Sequence, residues 1–216
     1  MKNRRILMSL CGVIICAVSV GIFKIAALGV DPFQSLMSGL DALIPIPFGT
    51  LYVIVNLLLL TFSLVVDRSK IGLATFINLF LLGYITEFTY AFLQTVIVDP
   101  SMPVRFACLF VGVVVLCFAS SLYMTADLGV STYDAIAIAL ADKWHVAKFK
   151  YCRIATDLVC VVSGVALFLL AGGQFAQIPS IAGVGTIITA FFMGPLIELF
   201  NERIARPMLG GQSSAK

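Results

Sequence analysis

The sequence predicts an all-α membrane protein in which six transmembrane helices form two inverted three-helix repeats. Three observations lead to this fold class: an apolar composition, long segments without charge, and a motif that occurs once in each half of the chain. Of the 216 residues, 61% are hydrophobic and 12% are charged, whereas soluble domains carry about 25% charged residues. This composition is typical of a chain embedded in a lipid bilayer.

Long apolar segments, four of them charge-free over much of their length, predict six crossings. No charged residue occurs within 6–23, 42–66, 106–126 or 158–197, and a helix needs about 20 apolar residues to cross the bilayer. The last of these segments is too long for one crossing and is interrupted by Gly172, Gly173 and Pro179. The predicted crossings are 6–27, 46–66, 71–97, 105–126, 149–171 and 178–200.

A short motif follows the first crossing of each half. The Leu-Gly-Val sequence at 28–30 recurs at 128–130. Each copy precedes a helix-start pattern, in which an N-cap residue is followed three positions later by a polar partner. The glycine of each copy allows the tight bend that such an entry needs. The residues of this helix-cap motif are Gly29, Asp31, Gln34, Gly129, Ser131 and Asp134.

Further matches in the same order extend the duplication. The Gly-x-x-Thr sequence at 72–75 corresponds to 183–186, and Asn56 corresponds to Asp157. We assign 1–104 to the first repeat, 105–201 to the second and 202–216 to a cytoplasmic tail. Because each repeat contains three crossings, the second copy is inserted upside down, an arrangement typical of transporters and some channels.

The distribution of Lys and Arg orients the chain. With the N-terminus in the cytoplasm, every Lys and Arg except Lys24 and Arg105 falls on the cytoplasmic side, as the positive-inside rule requires. The sequence therefore predicts a multi-pass protein of the cell membrane with both termini cytoplasmic.

Two interpretations exist for the short segments 32–44 and 131–143: re-entrant half-helices whose N-termini face an anion, or interfacial helices that join two crossings. Length favours the interfacial interpretation. From Arg5 to Asp31 a straight helix would extend roughly 39 Å, which already crosses a hydrocarbon core of about 30 Å.

Ionisable side chains inside a crossing are costly and are therefore functional candidates. Glu87 and Glu198 occupy corresponding positions, each near the far end of its helix, on opposite faces of the membrane. They are candidates for a proton site or a gate; the alternative is an end-of-helix acid that reaches the interface. Each follows a glycine by four residues, and we expect Gly83 and Gly194 to let a neighbouring helix approach closely.

Four further residues are transport or gating candidates. Lys24 lies at a similar depth to Glu87, so the two are expected to form an ion pair; the alternative is a lysine that extends to the interface. Arg153 and Asp157 lie four positions apart and can pair on one helix face, or lie at a solvated helix end. Asn56 is expected deeper, where an amide more often joins two helices than contacts a ligand.

No pattern predicts an enzyme, a metal site or a cofactor. The single histidine, His145, excludes bis-histidine haem ligation and a histidine-rich metal cage. Neither Gly-x-Ser-x-Gly nor Gly-x-x-x-x-Gly-Lys occurs. The six cysteines lack paired spacing and are interpreted as small packing residues. The net charge of +3 reflects topology, and no basic patch predicts a nucleic-acid partner.

The paired Leu-Gly-Val turns, the Gly-Thr-x-Ile element at 185–188 and the Gly-Pro-Leu-Ile element at 194–197 resemble the YitT/YczE family of small multi-pass bacterial membrane proteins. The resemblance covers most of the chain and implies a bacterial cytoplasmic membrane location. It implies no established substrate and no agreed catalytic residues.

The sequence thus predicts a transporter or channel for a small solute of unknown identity, with its pathway at the repeat interface. The alternatives are a non-transporting accessory or scaffold protein and a substrate-capturing subunit of a larger importer. A pathway predicts that Asn56, Asn78, Thr75, Thr186 and Thr189 face one interior cavity, whereas a scaffold predicts a dry centre. The expected partners are the lipid bilayer and that solute, and the sequence leaves a homo-oligomer open.

Overall fold

The computed structural model describes residues 2–66, 68, 71–147 and 149–209. In this range the α-helices are α1 (Lys2–Ala26), α2 (Pro32–Leu43), α3 (Phe48–Val66), α4 (Leu73–Val96), α5 (Met102–Thr125), α6 (Thr132–Ile138), α7 (Phe149–Leu170), α8 (Ile178–Ile181), α9 (Val184–Phe200) and α10 (Arg206–Met208). A 3₁₀ turn, Phe175–Gln177, precedes α8. The π-helical turns Ala139–Lys143 and Asn201–Ala205 continue α6 and α9.

Six helical segments of this range are long and apolar enough to cross a membrane. They coincide with the six predicted crossings to within a few residues at most ends, because a long apolar segment in lipid satisfies its backbone hydrogen bonds as one helix. The protein is therefore an all-helical, multi-pass membrane-like chain.

Helices α1 and α5 form the centre and pack antiparallel. Gly12 lies against the backbone of Ala119 and Tyr123, and Gly112 lies against the ring of Phe23. Small residues at a helix crossing permit this close approach in an apolar medium. Gly12 and Gly112 occupy corresponding places in the two halves, so the same contact is made twice.

The two short helices pack on the opposite half of the chain. Helix α2 lies along α7, where Gly39 meets the backbone of Gly164 and the Ser35 carbonyl lies over Gly164. Helix α6 packs on α3, where the Thr132 hydroxyl donates to Asn56 Oδ1 (2.5 Å). The halves are thus interlocked rather than side by side.

A tight turn joins α1 to α2. Helix α1 runs to Ala26, and the backbones of Ala27 (φ +49°) and Gly29 (φ +98°) are left-handed. Helix α2 begins at Pro32 and packs on α7. The interfacial and the re-entrant interpretations of 32–44 both stay predictions.

Each Leu-Gly-Val turn packs on the helix start of the opposite half. The Gly185 amide donates to the Leu28 carbonyl (2.7 Å), and the Ala74 amide donates to the Leu128 carbonyl (2.9 Å). Within each helix start, a threonine hydroxyl accepts from the glycine three residues earlier: Thr75 from Gly72 and Thr186 from Gly183, both at 3.2 Å.

The described ends of the chain lie at the same end of the bundle. Arg5 pairs with Asp127 (3.7 Å), and buried Ala205 packs with Met8 and Leu122. At the predicted cytoplasmic tail, Asn201–Ala205 and Arg206–Met208 continue α9 as helical turns, with Ala205 packed on α1 and α5. Residues 210–216 lie outside the described range.

Candidate functional site: a charged cavity between the two halves

A cavity of about 610 Å³ lies between the two halves of the chain, within the range of about 300–1,000 Å³ usual for small-molecule sites. Most of its surface is apolar, supplied by α1, α5 and α9. Both short helices point their N-terminal residues into it. Its charged lining residues are Asp31, Asp134, Arg153, Asp157 and Glu198.

Arg153 is the centre of a buried charge network. Its guanidinium pairs with Asp134 and, through Nε, with Asp157 Oδ1 at 3.2 Å. The guanidinium carbon also lies 4.5 Å from the centroid of the Tyr133 ring, a cation–π contact. The network joins α6 to α7, and its two carboxylates are each about nine-tenths buried (13% and 11% side-chain exposure).

Tyrosine hydroxyls complete the network. Tyr133 donates to Asp157 Oδ1 (2.5 Å), and Tyr123 donates to Asp134 Oδ2 (3.1 Å). The Ser131 hydroxyl also donates to Asp134 Oδ2 (2.7 Å) and accepts from the Asp134 amide (3.1 Å), which caps α6. Asp134 thus accepts from three protein side chains, those of Arg153, Tyr123 and Ser131, which fix its carboxylate in place.

Asp31 and Gln34 occupy the corresponding place at the start of α2. Asp31 Oδ1 accepts from the Gln34 amide (3.2 Å) and so caps the helix. The Gln34 side chain does not return the bond that a full capping box would have. Gln34 is 3% exposed, lines the cavity, and its Oε1 has no hydrogen-bond partner among the described residues.

Aromatic rings bring the two helix starts together. Phe33 of α2 stacks on Tyr133 of α6, with ring centroids 5.0 Å apart and an interplanar angle of 23°. Tyr52 meets Phe33 edge-on at 5.9 Å. Phe33 and Tyr133 hold corresponding positions after the two Leu-Gly-Val turns. Their stack therefore places both helix N-termini at one point in the middle of the bundle.

The two halves differ in how their second and third long helices pack. Helix α3 lies tightly on α4, because Gly83 receives Tyr52 and Gly49 receives Tyr84. Over the described residues of α7 and α9 no such packing forms, and the cavity occupies the space between these helices. Gly194 has no neighbour within 4 Å of a Cβ position. The prediction that it supports a close helix contact is therefore wrong, while Gly83 does support one.

Several predicted site residues line the cavity. Asn56 and Asp157 are both buried there, Asn56 bonded to Thr132 and Asp157 to Tyr133 and Arg153. The local Arg153–Asp157 pair forms as the spacing predicts. The expected solvated helix end does not, because Tyr133 and the start of α6 cover Asp157, which is 8% exposed.

Glu87 and Lys24 lie elsewhere and form no ion pair with each other. Glu87 Oε2 accepts from the Gly49 amide (2.9 Å) at the start of α3, a helix-capping contact. Lys24 Nζ lies 3.4 Å from the centroid of the Phe48 ring. Partial burial raises the pKa of the nearby Asp41, and the charge of Lys24 opposes the rise. The predicted Lys24–Glu87 pair is therefore wrong, because each group has a closer partner.

Glu198 does not share the surroundings of Glu87. It lines the cavity, yet its side chain is 55% exposed and pairs with Arg206 at 3.2 Å. Its Oε2 also accepts from the Asn201 side-chain amide (3.3 Å). The expectation of equivalent environments fails because α9 stands away from α7, whereas α4 is packed against α3.

Among the five polar residues expected at a pathway, Asn56, Asn78 and Thr189 line the cavity. Thr75 and Thr186 instead bond backbone carbonyls, Thr75 that of Val130 (2.6 Å) and Thr186 that of Ile181 (3.3 Å). The bundle therefore contains a cavity whose lining is partly polar.

Sequence reasoning missed the aromatic residues of the site. Tyr123 and the Phe33–Tyr133 stack each form part of the cavity wall. The signal was present, because an aromatic residue occurs at the same place after both Leu-Gly-Val turns. Tyr123 gave the same signal, because Phe23 is the aromatic residue at the corresponding position of the first half.

Comparisons with known proteins agree on an uncharacterized family. The chain is 23% identical over 198 residues to "Uncharacterized protein YyaS" of Bacillus subtilis (strain 168), covering 92% of each chain. It is 24% identical over 142 residues to an uncharacterized protein of Haemophilus influenzae, covering 64% of this chain and 57% of that relative. No solved structure matches the chain.

The family comparison covers almost the whole chain. Residues 3–202 match the model of DUF6198, described as a family of unknown function. Nothing in these comparisons confirms the YitT/YczE name, although a small multi-pass family is consistent with it. Since the match includes every long helix of the bundle, the protein belongs to the DUF6198 family.

Proposed function

We propose that the protein is an integral membrane transporter or channel for a small solute. The observation that carries the proposal is the cavity, which is lined by charged residues of both halves and surrounded by helices of membrane-spanning length. Ionisable side chains in the interior of a transmembrane bundle mark solute and ion pathways, because their burial is otherwise costly.

We further propose that the halves are inverted repeats and that α2 and α6 are re-entrant half-helices. Antiparallel packing of the corresponding helices α1 and α5 supports the inversion. Helix α6 begins beside Asn56, near the middle of α3. The π-helical turn that continues α6 ends at Lys143, which bonds the carbonyl of Val66, the last residue of α3. Half-helices that begin near the bilayer midplane are typical of solute sites in transporters.

The unequal packing of the two halves supports alternating access. The α3–α4 contact is closed, whereas the space between α7 and α9 is open at the end of the bundle that holds both chain ends. If the halves exchanged these two packings, the cavity would open at the opposite end. In transporters built from inverted repeats, alternating access is largely such a movement of one repeat against the other around a fixed site.

A cysteine at position 189 tests the pathway without knowledge of the solute. Thr189 lines the cavity, whereas Thr86, also buried, bonds the Ala17 carbonyl away from it. In a background without native cysteines, we expect membrane-impermeant thiol reagents to modify Thr189→Cys from both faces of oriented vesicles. Thr86→Cys is the matched control and should resist modification from both faces.

A non-transporting scaffold or a one-sided importer subunit gives a different result. Labelling of Thr189→Cys from neither face, or from one face only, would contradict an alternating pathway. Modification of Thr86→Cys at a similar rate would show that the reagent reaches buried cysteines through unfolding of the protein rather than through the cavity.

We propose that the protein lies in the bacterial cytoplasmic membrane with both termini in the cytoplasm. The proximity of the described ends supports a common side, and the Lys and Arg distribution supports the cytoplasm. Cysteines replacing exposed Phe175 and Met208 should therefore be labelled from opposite faces, Phe175→Cys from outside. Labelling of both positions from one face would contradict the topology and the inverted repeat together.

A further inference from the structure

Two buried side-chain amides in the cavity lining have hydrogen-bond donors without an acceptor. Gln34 is 3% exposed and Asn78 is 5% exposed, and both line the cavity. Neither Gln34 Nε2 nor Asn78 Nδ2 donates a hydrogen bond to a described residue. Buried polar groups nearly always have a partner, because an unsatisfied one costs free energy. A molecule in the cavity can supply the missing acceptor.

Both amides present their NH₂ groups to the cavity. The Tyr52 hydroxyl donates to Asn78 Oδ1 (3.2 Å), which leaves Asn78 Nδ2 facing the cavity. Gln34 Oε1 is enclosed and has no donor among the described residues, so Nε2 is the part of that amide which reaches the cavity. Within the folded chain, an apolar residue of the same size would be more stable at position 34. The Gln34 amide is therefore suited to a ligand rather than to the fold.

The corresponding residues of the second half are satisfied by the protein itself. Asp134, which corresponds to Gln34, accepts from Arg153 and from two hydroxyls. Thr189, which corresponds to Asn78, donates to backbone carbonyls of its own helix (3.1 and 3.0 Å). The unpartnered donors of Gln34 and Asn78 are thus a property of the first half, on α2 and α4, and not a general consequence of the repeat.

The charges of the lining favour a neutral ligand. Four described carboxylates and one guanidinium line the cavity, so an anion would meet an excess of negative charge. The carboxylates also accept from protein donors, since Arg153 pairs with Asp134 and Asp157, and Asp31 caps α2. A cation would therefore compete with contacts that the fold already contains. A neutral hydrogen-bond acceptor meets neither obstacle.

The size and the walls of the cavity indicate the rest of the ligand. Its volume of about 610 Å³ admits an organic molecule. Helices α1, α5 and α9 supply an apolar wall, for example through Val20, Leu116 and Ile197, which suits a hydrocarbon or aromatic body. Among neutral acceptors, a carbonyl oxygen accepts two hydrogen bonds and brings no donor of its own that would need a partner.

We infer that the cavity binds a neutral molecule that combines a carbonyl group with an apolar body, with Gln34 Nε2 and Asn78 Nδ2 as the hydrogen-bond donors to that molecule. This inference rests on the proposed function and assigns its solute to a chemical class. The two amides recognise the carbonyl group, and the apolar wall of α1, α5 and α9 contacts the body.

Three probes of similar size and different charge test the class of ligand. The purified full-length chain is titrated at neutral pH with N,N-dimethylbenzamide, N,N-dimethylbenzylammonium and 2-phenylpropanoate, and binding is measured by calorimetry and by the shift of the unfolding temperature. The ammonium ion has the skeleton of the amide with a methylene in place of the carbonyl. We expect the neutral amide to bind more tightly than either ion. Equal or tighter binding of either ion, or no binding of the amide at millimolar concentration, would overturn the inference.

Gln34→Met separates a ligand contact from a role in the fold. Methionine keeps the length of the side chain and removes both unpartnered polar atoms. We expect the affinity for N,N-dimethylbenzamide to fall about threefold or more, the loss of one neutral hydrogen bond. The unfolding temperature without ligand should rise by about 2 °C or more, because the buried unpartnered atoms are gone. Gln94→Met is the matched control, since Gln94 is exposed on α4 and outside the cavity lining, and should change neither quantity.

Asn78→Asp keeps the acceptor for the Tyr52 hydroxyl and replaces the Nδ2 donor by an oxygen. The affinity for N,N-dimethylbenzamide should fall about tenfold or more, because an acceptor would then face the carbonyl group. Cooperative unfolding without ligand establishes that this variant is folded. Unchanged affinity in both Gln34→Met and Asn78→Asp would show that the two amides meet only water and would overturn the inference. A lower unfolding temperature of Gln34→Met would also contradict it, because the fold itself would then depend on the amide.

The outcome separates this inference from the proposed function. Preferred binding of N,N-dimethylbenzamide combined with one-sided labelling of Thr189→Cys would retain the ligand class and reject transport. Two-sided labelling combined with preferred binding of N,N-dimethylbenzylammonium or 2-phenylpropanoate would retain the pathway and reject the neutral carbonyl ligand.

Discussion

Replacing Arg153 with methionine should lower the free energy of unfolding by about 3 kcal/mol, the cost of leaving buried carboxylates without their cation. Methionine keeps much of the side-chain length, so the lost packing is small. Asp134 and Asp157 would both lose their charged partner, and Tyr133 would lose the guanidinium over its ring. Unfolding of the purified protein in mixed micelles measures the change.

Arg206 provides the matched control for Arg153. It pairs with Glu198 at 3.2 Å, but both side chains are about half exposed (50% and 55%). Exposed pairs contribute at most about 1 kcal/mol, so Arg206→Met should be nearly silent. Equal losses for Arg153→Met and Arg206→Met would show that the network is hydrated rather than buried.

A second substitution separates charge from packing. In the double variant Arg153→Met with Asp157→Asn, one of the two uncompensated carboxylates is also removed. The double variant should therefore be more stable than Arg153→Met alone, a coupling expected of groups in one network. Arg153→Lys should not restore full stability, because an ammonium cannot reproduce the planar contact with two carboxylates and a ring.

The long helices could be predicted because their signal is local. Each crossing is a continuous apolar run, and in lipid such a run satisfies its backbone groups only as a helix. The predicted crossings 46–66 and 105–126 thus differ from α3 and α5 by only a few residues at each end. The positions of Arg153 and Asp157 on one face also follow from helical spacing alone.

The position of the short helices could not be read in the same way. The position of α2 depends on residues 27–31, of which Ala27 and Gly29 have left-handed backbones. It also depends on Gly164, which admits the backbone of Ser35 from the other half. Neither contact is local in sequence. The length argument considered α1 alone and therefore did not include these contacts.

Corresponding residues also proved unequal in their roles. Glu87 caps α3, while Glu198 lines the open cavity. The duplication indicates that the two positions are related, but the side on which the bundle is open decides which of them meets the cavity. The repeat pattern therefore predicts that Glu87 and Glu198 correspond, but it does not predict that their contacts differ.

Alanine at Gly29 or Gly129 should destabilise the protein strongly. Both glycines have left-handed backbones (φ +98° and +108°), and a Cβ at either position would lie 2.5 Å from a backbone nitrogen, that of Gly183 or Gly72. Conformational strain and overpacking together should cost about 2–5 kcal/mol of stability.

Gly172→Ala separates the two causes of that loss. Gly172 is also left-handed (φ +88°), yet a Cβ there would have no neighbour within 4 Å. It should therefore lose only the strain of about 1–2 kcal/mol. The excess loss at Gly29 and Gly129 measures how closely each turn fits the helix start of the other half. Because the two contacts are made by corresponding residues, their excesses should be similar; losses no larger than that of Gly172→Ala would contradict the interlocked packing.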